Sequence, residues 1–333
     1  MRVLVTGGAG YIGSVVVERL LREGHDTTVV DDLSEGHRSA VPDAAAFVKA
    51  DLRDRAALSR TLAERSFDAI QHLAASCLVG ESMEDPGKYF ENNVAAGVNL
   101  LEVGMALGAG RIVFSSTAAT YGDPGVSPIP EACPTEPTNP YGESKLVFER
   151  VLAWYGRVRG LRWIALRYFN AAGASEERGE DHEPETHLIP LVLRAAATGG
   201  EVPILGDDYP TPDGTCVRDY IHILDLADAH LDAMRAMERG ASGPFNLGNG
   251  AGFSVREVVR IAEEVTGRTI RTRVAARRPG DPPSLVASSE RARRILGWNP
   301  KHGDLREIVA SAWRWHLAHP TGYRRAGADI TPP

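Results

Sequence analysis

Cysteine is scarce in this chain. There are three in 333 residues, Cys77, Cys133 and Cys216, far apart and with no C-x-x-C pair. Neither a disulfide framework nor a zinc site built on thiolates is expected, no metal is assigned, and a reducing compartment is the default. Lysine is scarcer relative to its class: only Lys49, Lys88, Lys145 and Lys301 among 37 basic residues. Basic residues occur in pairs and triplets, never in long runs, and the net charge is -7. That balance argues against a general nucleic-acid binder. No apolar run reaches the ~18 residues of a membrane span, and residue 1 leads straight into a strand. The expectation is therefore a cytoplasmic protein with no membrane partner. Internal repeats and low-complexity tracts are lacking too. What is present is ordinary for a globular protein: 43% hydrophobic and 24% charged residues, enough for one large α/β domain and a smaller one.

The first half alternates strands and helices. Arg2-Val3-Leu4-Val5 has the apolar run of a buried parallel strand, and Val15 to Leu21 reads as a helix. Between them Gly7, Gly10 and Gly13 are spaced G-x-x-G-x-x-G, which lets backbone approach a pyrophosphate at a helix N-terminus. The next strand, Thr27 to Val30, ends in Asp31-Asp32, an acid placed to meet adenine-ribose hydroxyls and to repel a 2'-phosphate. NAD is thus favoured over NADP. Strands at Ala46 to Val48 (ending near Asp51), Phe67 to Ile70 and Arg111 to Phe114 follow, with a helix over Arg55 to Ala63 and a long one over roughly Pro86 to Leu107. The pattern predicts a Rossmann-type doubly wound parallel sheet with ligands at the carboxyl ends of its strands. His72, at one such end, reads as a packed residue.

The chemistry concentrates in Thr138-Asn139-Pro140-Tyr141-Gly142-Glu143-Ser144-Lys145. Asn139 suits an N-cap and Pro140 the first helical position. Val147, Val151 and Trp154 recur as one packed face. Tyr141 and Lys145, four apart, share another. Lowering a phenol from a pKa of about 10 to neutrality needs roughly 4 kcal/mol. One ammonium at about 4 Å and an effective dielectric of about 20 supplies that amount. With the hydroxyls of Ser115-Ser116-Thr117 at a neighbouring strand end, the pair makes a proton-and-hydride site.

Six further motifs accompany the glycine turn Thr6-Gly-Gly-Ala-Gly-Tyr-Ile-Gly13. They are Val79-Gly-Glu-Ser82, Ser115-Ser-Thr-Ala-Ala-Thr-Tyr-Gly122, Tyr141-Gly-Glu-Ser-Lys145, Arg167-Tyr-Phe-Asn170, Gly214-Thr-Cys-Val-Arg-Asp-Tyr-Ile-His222 and Arg277-Arg-Pro-Gly-Asp281. In this order, over residues 1 to about 300, they resemble the extended short-chain dehydrogenase/reductase family, and within it the UDP-glucose 4-epimerases. The resemblance implies NAD-dependent interconversion of UDP-glucose and UDP-galactose through a 4-keto sugar. Tyr141, Lys145 and Thr117 would be catalytic. Gly7, Gly10, Tyr11, Ile12, Gly13, Asp31, Asp32, Leu33, Ser34, Asp51, Leu52, Leu73, Ala74, Ala75, Asn92, Ser115 and Phe169 would contact the cofactor. Asn170, His187, Leu188, Leu205, Arg218, Arg278, Asp281 and Leu285 would surround the UDP-sugar, together with Thr117 and Tyr141. It also implies a homodimer through the helices at 86–107 and 140–157.

Similar dehydratases place an Asp-Glu pair just after the catalytic Thr, and decarboxylating relatives keep a Glu. Here Ala118-Ala119 stand there, so the keto intermediate has no acid to divert it. Three sites depart from the family pattern, at four positions: Cys77 replaces a common Lys, Thr186-His187 replaces Asn-Asn, and Leu285 stands at the gatekeeper position, where Tyr goes with glucose/galactose selectivity and a small residue with N-acetylhexosamines. Alternatives are a 4-epimerase of UDP-N-acetylhexosamine, UDP-pentose or UDP-hexuronate, a dehydrogenase releasing NADH, and a non-catalytic NAD-binding sensor or scaffold. The domain expectation is 1–170 for NAD, 171–320 mainly a smaller α/β unit for the UDP-sugar with some segments returning to the first, and 321–333 a mobile tail. Helices are expected at 188–197, 224–237 and 255–265, a strand at 245–247, and a solvated charged loop from Ala171 to Glu185.

Overall fold

The computed structural model describes residues 1–278 and 281–323. Pro279 and Gly280 of the Arg277–Asp281 motif, and residues 324–333 of the expected tail, lie outside the described residues. Six strands, β1 (Arg2–Thr6), β2 (Asp26–Asp31), β3 (Ala46–Lys49), β4 (Ala69–His72), β5 (Arg111–Thr117) and β6 (Arg162–Tyr168), join Gly243–Leu247 in one sheet. All its pairings are parallel, and the order is Gly243–Leu247, β6, β5, β4, β1, β2, β3. The order reverses between β1 and β4, which opens a crevice at their carboxyl ends. Val3 and Val5 are buried against one helical layer and Leu4 against the other, which explains the unbroken apolar run.

On one face lie the helices Tyr11–Arg22 and Ile223–Glu238; on the other lie Arg55–Leu62, Ala96–Ala106 and Pro140–Arg159. Asn139 caps the last of these by accepting from Gly142 N at 2.8 Å, and left-handed Gly160 (φ 71°) ends it. The face it buries differs from the expected one. Ser144, Lys145, Phe148, Glu149 and Leu152 point inward, whereas Trp154 is 62% exposed. Phe148 stacks edge-on against Phe114 of β5, which fixes that rotation. The long helix expected from Pro86 is also interrupted. It runs as Pro86–Phe90, a π-turn Glu91–Ala95 and Ala96–Ala106. The extra residue in that turn lets both Asn92 and Asn93 reach Ser76.

The remaining helices Leu188–Thr198, Val255–Thr266 and Leu305–Ala318 pack together around a third core. Val217–Arg218 lies between Phe253–Ser254 (antiparallel) and Ser284–Leu285 (parallel), and Asn170–Ala172 pairs with Tyr220–His222. The expected solvated loop is solvated at Glu176 and Glu177 but tied down after them. Its Arg178 is buried and donates to Glu18 at 2.9 Å, and the side chain of Glu180 is only 8% exposed. The first residues of the expected tail are packed as well: Tyr323 OH accepts from Gly179 N at 3.1 Å, and its ring meets His37 and Trp315.

Candidate active site

The glycine turn forms a cradle that side chains would fill. Gly7 has φ +73°, and a Cβ there would lie 2.4 Å from Ala74 N; one at Gly13 would lie 2.0 Å from the carbonyl of Gly7. Gly10 leaves the helix Tyr11–Arg22 without a side-chain cap, so its first amides can meet a pyrophosphate. The residues present fit a dinucleotide. Leu73 N and Ala74 N both donate to the carbonyl of Thr6, at 3.0 and 3.1 Å, and this draws the end of β4 over the cradle with Ala75 next in line. Asp31 is buried at the end of β2; Ala9 N and Leu33 N donate to its two oxygens at 3.0 and 2.9 Å. Burial raises its carboxyl above the usual range against these two bonds. Asp32 accepts from both Ser34 N and Ser34 Oγ. Tyr11 is buried with its hydroxyl on the carbonyl of Gly173 at 2.6 Å, and Ile12 packs beside the core. Asp51 is gripped by the Arg53 guanidinium, which holds its carboxyl below the usual range, and Leu52 is buried behind it.

Beside this cradle, the end of β5 and the start of the helix Pro140–Arg159 converge. Thr117 ends β5, and its Oγ1 accepts from Ala119 N at 3.1 Å. The Tyr141 phenol lies near enough to the Thr117 side chain to be influenced by it. Lys145, 2% exposed, donates through Nζ to the carbonyl of Ser115 at 2.9 Å and lies 5.9 Å from the centre of the Tyr141 ring. Contrary to the sequence expectation, this one cation does not bring the phenol toward neutrality. Burial pushes the Tyr141 phenol well above its usual range, and the nearby Thr117 side chain only partly offsets it. Burial also pushes the Lys145 ammonium down to about 8. Cys77 is exposed, and a thiolate there would act electrostatically on both Tyr141 and Lys145. His72 is buried with Nδ1 2.8 Å from Thr6 Oγ1 and packs against Phe114 and Phe148 as a core residue.

Sequence reading missed the groups that hold this arrangement. Arg167 on β6 donates to both oxygens of buried Glu149, at 2.9 and 2.5 Å, and to Tyr121 OH at 3.0 Å. Ser116 Oγ donates to the same Glu149 at 2.6 Å, and Tyr121 OH donates to Asn246 Oδ1 at 2.7 Å. This network clamps β5, β6 and the helix Pro140–Arg159 together just behind Thr117. Its members are far apart in sequence, and a buried Arg–Glu pair carries no local signature. On the other side Asn93 links Ser76 to Ser144, whose Oγ donates to the carbonyl of Tyr141. Asn92 donates to Ser76 Oγ at 2.9 Å, Ser115 Oγ accepts from Tyr168 OH, and Phe169 N donates to Leu247 O.

Of the residues expected around the sugar nucleotide, Arg218 donates to Asp281 at 2.6 Å, and Leu285 sits in register with Arg218 on the neighbouring strand. Asn170 donates both its backbone N–H and its amide Nδ2 to the carbonyl of Asp219. Leu205 ends Glu201–Leu205, Leu188 opens the helix Leu188–Thr198 that precedes that strand, and Arg278 is exposed. His187 is turned toward Glu180 and Glu185, at 2.8 and 3.0 Å. No helix among the described residues is long and apolar enough to cross a membrane.

Residues 3–248 match the model of the NAD dependent epimerase/dehydratase family. The chain is 52% identical over 329 residues to a UDP-glucose 4-epimerase of Streptococcus mutans, covering 97% of this chain and 99% of that protein. It superposes with a TM-score of 0.90 on the UDP-glucose 4-epimerase of Brucella ovis solved in complex with NAD, at 45% identity over 94% of this chain and 97% of that one. The UDP-Glc/GlcNAc 4-epimerase of Campylobacter jejuni superposes with a TM-score of 0.84 at 40% identity, covering 95% and 99%. With a glycine cradle, an acid at the end of β2 and a Thr–Tyr–Lys cluster beside them, the chain belongs to the NAD-dependent epimerase/dehydratase family.

Proposed function

We propose that this chain interconverts UDP-glucose and UDP-galactose by inverting C4, with NAD as a resident cofactor. The observation that carries the reading is Lys145, buried four residues after Tyr141 on the same helix and anchored on the carbonyl of Ser115, with Thr117 ending the neighbouring strand and Ala118-Ala119 rather than an acid after it. Gly7, Gly10, Gly13 and the amides opening the helix Tyr11–Arg22 would hold the NAD pyrophosphate, and Asp31 its adenine ribose. Bound NAD supplies a cationic ring that accepts the C4 hydride and returns it.

The phenol must first lose its own proton against the burial that raises it, and the positive charge of bound NAD would favour that loss. Tyr141, once ionised, would take the O4 proton and give it back, while Thr117 would hold O4 beside the phenol. Lys145, anchored on Ser115, keeps a positive charge under the phenol and orients it. The Arg167–Glu149 clamp keeps Thr117 and Tyr141 from drifting apart. Arg218 and Arg278 suit the diphosphate, because a guanidinium forks onto phosphate oxygens. Asn170 and Leu188 fit beside the uridine. Ala118 and Ala119 offer no proton donor or acceptor for elimination, so the 4-keto sugar survives to be reduced on its other face.

Leu285 favours a second reading alongside the first. It is smaller than the Tyr of strict hexose enzymes, and the Campylobacter jejuni relative acts on both sugar classes by its name. By this reading N-acetylhexosamines are accepted too. A cytoplasmic homodimer completes the proposal. Phe90 and Trp154 are 39% and 62% exposed on the two helices expected to pair, large apolar groups that a partner would cover. The test is to pass purified protein through gel filtration and assay a panel of UDP-sugars for 4-epimers with NAD omitted. Retained NAD and epimerised UDP-galactose are expected; NADH released in proportion to substrate would replace this reading with a dehydrogenase.

A further inference from the structure

The loop between Asn170–Ala172 and the helix Leu188–Thr198 carries Glu180, His182, Glu185 and His187, spaced E-x-H-x-x-E-x-H. The expectation of no metal rests on cysteines, and these four residues stand outside it. One ligand atom from each of the four lies within 4.8 Å of all the others. Around the ring of neighbours the separations are 3.3 Å (His182 Nδ1 to Glu180 Oε1), 2.8 Å (Glu180 Oε1 to His187 Nδ1), 3.0 Å (His187 Nδ1 to Glu185 Oε1) and 3.8 Å (Glu185 Oε2 to His182 Nδ1). Four ligands at about 2.0–2.1 Å from a tetrahedral zinc stand about 3.3 Å from one another, in the middle of that range. Both imidazoles present the same nitrogen, Nδ1, to the shared carboxylates. His182 Nδ1 is sealed from solvent and makes no hydrogen bond of ordinary geometry, although carboxylate oxygens of Glu180 and Glu185 lie 3.3 and 3.8 Å away. A buried polar atom without a partner asks for one.

We propose that Glu180, His182, Glu185 and His187 bind one divalent transition-metal ion of the zinc type. Two imidazoles and two carboxylates form a donor set that suits zinc and does not suit calcium or magnesium, which take oxygen ligands alone. The ion would be structural, closed by four protein ligands, and would fasten a loop that faces both halves of the molecule. The ring of His182 meets Tyr11 of the cofactor cradle edge-on at 6.4 Å, and neighbouring Asp181 contacts His37 Nε2 at 3.2 Å. At its other end, His187 is the N-cap of the helix Leu188–Thr198. Metal binding would therefore set the spacing between the turn that holds NAD and the helix beside the sugar nucleotide. His187 would then be a metal ligand rather than a substrate contact.

The experiment uses tag-free protein with its NAD retained, treated with a chelator, desalted, and titrated with Zn²⁺ by calorimetry. Metal analysis follows gel filtration. One equivalent per chain, retained through the column, is expected, with X-ray absorption showing N/O ligands only. His187→Ala, in which only a half-exposed ring is removed, is expected to weaken affinity at least tenfold, and His182→Ala with His187→Ala to abolish it. Circular dichroism and NAD content check that both variants are folded, and Cys77→Ser serves as a thiol control with unchanged affinity. Zinc below half an equivalent in the unaltered protein overturns the site. So does equal affinity in folded His187→Ala, or loss in Cys77→Ser alone. The alternative of two simple His–carboxylate ion pairs predicts the first of these results.

Discussion

Lys145 donates to the carbonyl of Ser115 at 2.9 Å, two residues before Thr117 on β5. One strand end therefore positions both the cation and the threonine proposed to act with the Tyr141 phenol. The consequence for activity is direct. Tyr141→Phe removes the proton acceptor and leaves the ring in place, so turnover of UDP-galactose is expected to fall by about a hundredfold or more. Melting temperature and bound NAD should change little. A turnover unchanged within experimental error would remove Tyr141 from the mechanism.

Arg167 and Glu149 form a buried ion pair, 5% exposed on each side. Glu149→Gln keeps the shape but leaves a guanidinium without its counter-charge. Breaking one side of such a pair costs about 3–5 kcal/mol. Urea denaturation of the variant should show that loss, with the slope of the transition unchanged. A shift of less than about 1 kcal/mol would mean that water or Tyr121 replaces the carboxylate.

His230 is fully buried, with Nδ1 2.7 Å from Gln71 Oε1, and burial pushes it down to about 3 from an ordinary value near 6.5. Above pH 6.5 the ring is neutral whether the chain is folded or not, and costs nothing. As pH falls from 6.5 toward 3 the unfolded chain binds a proton that the folded chain refuses, so stability falls. By pH 4 the loss is of order 3 kcal/mol from this group. Denaturation curves from pH 7 to pH 4 should show a shallower decline in His230→Gln than in the unaltered protein. Parallel curves would count against His230 as the acid-sensitive group.

Arg218 is paired with Asp281 beside Leu285. Arg218→Lys keeps the charge and removes the fork, so KM for the UDP-sugar should rise about tenfold while kcat changes less. An effect confined to kcat would move Arg218 out of the binding site.

Leu285→Tyr adds bulk at the proposed gatekeeper. Activity on UDP-N-acetylgalactosamine should fall relative to UDP-galactose. Equal loss on both sugars, measured as kcat/KM, would dismiss the gatekeeper assignment.

Much of this was legible in the sequence where the signal is local. The run Val3-Leu4-Val5, the glycine spacing and the acid after β2 need only a window of thirty residues, because backbone sterics and strand period decide them. Asn139 and Pro140 announced their helix for the same reason. Trp154 misled because periodicity finds a stripe but not which stripe meets the sheet; Phe148 and Phe114 decide that, and they are 34 positions apart. The loop at 171–185 looked solvated because its charges have partners elsewhere in the chain, as Arg178 does in Glu18. The raised phenol of Tyr141 was invisible because desolvation depends on the whole surroundings and not on the one cation nearby.

The strand Gly243–Leu247 lies against β6 and completes the sheet that carries the cradle. During synthesis β6 waits as a bare ladder of amides and carbonyls for some eighty residues of chain before its neighbour emerges. A fragment ended at residue 170 would keep every glycine of the turn and still offer that open edge to other molecules, so it should clump rather than fold alone. Cofactor capture is then expected only after the second half of the chain has been made.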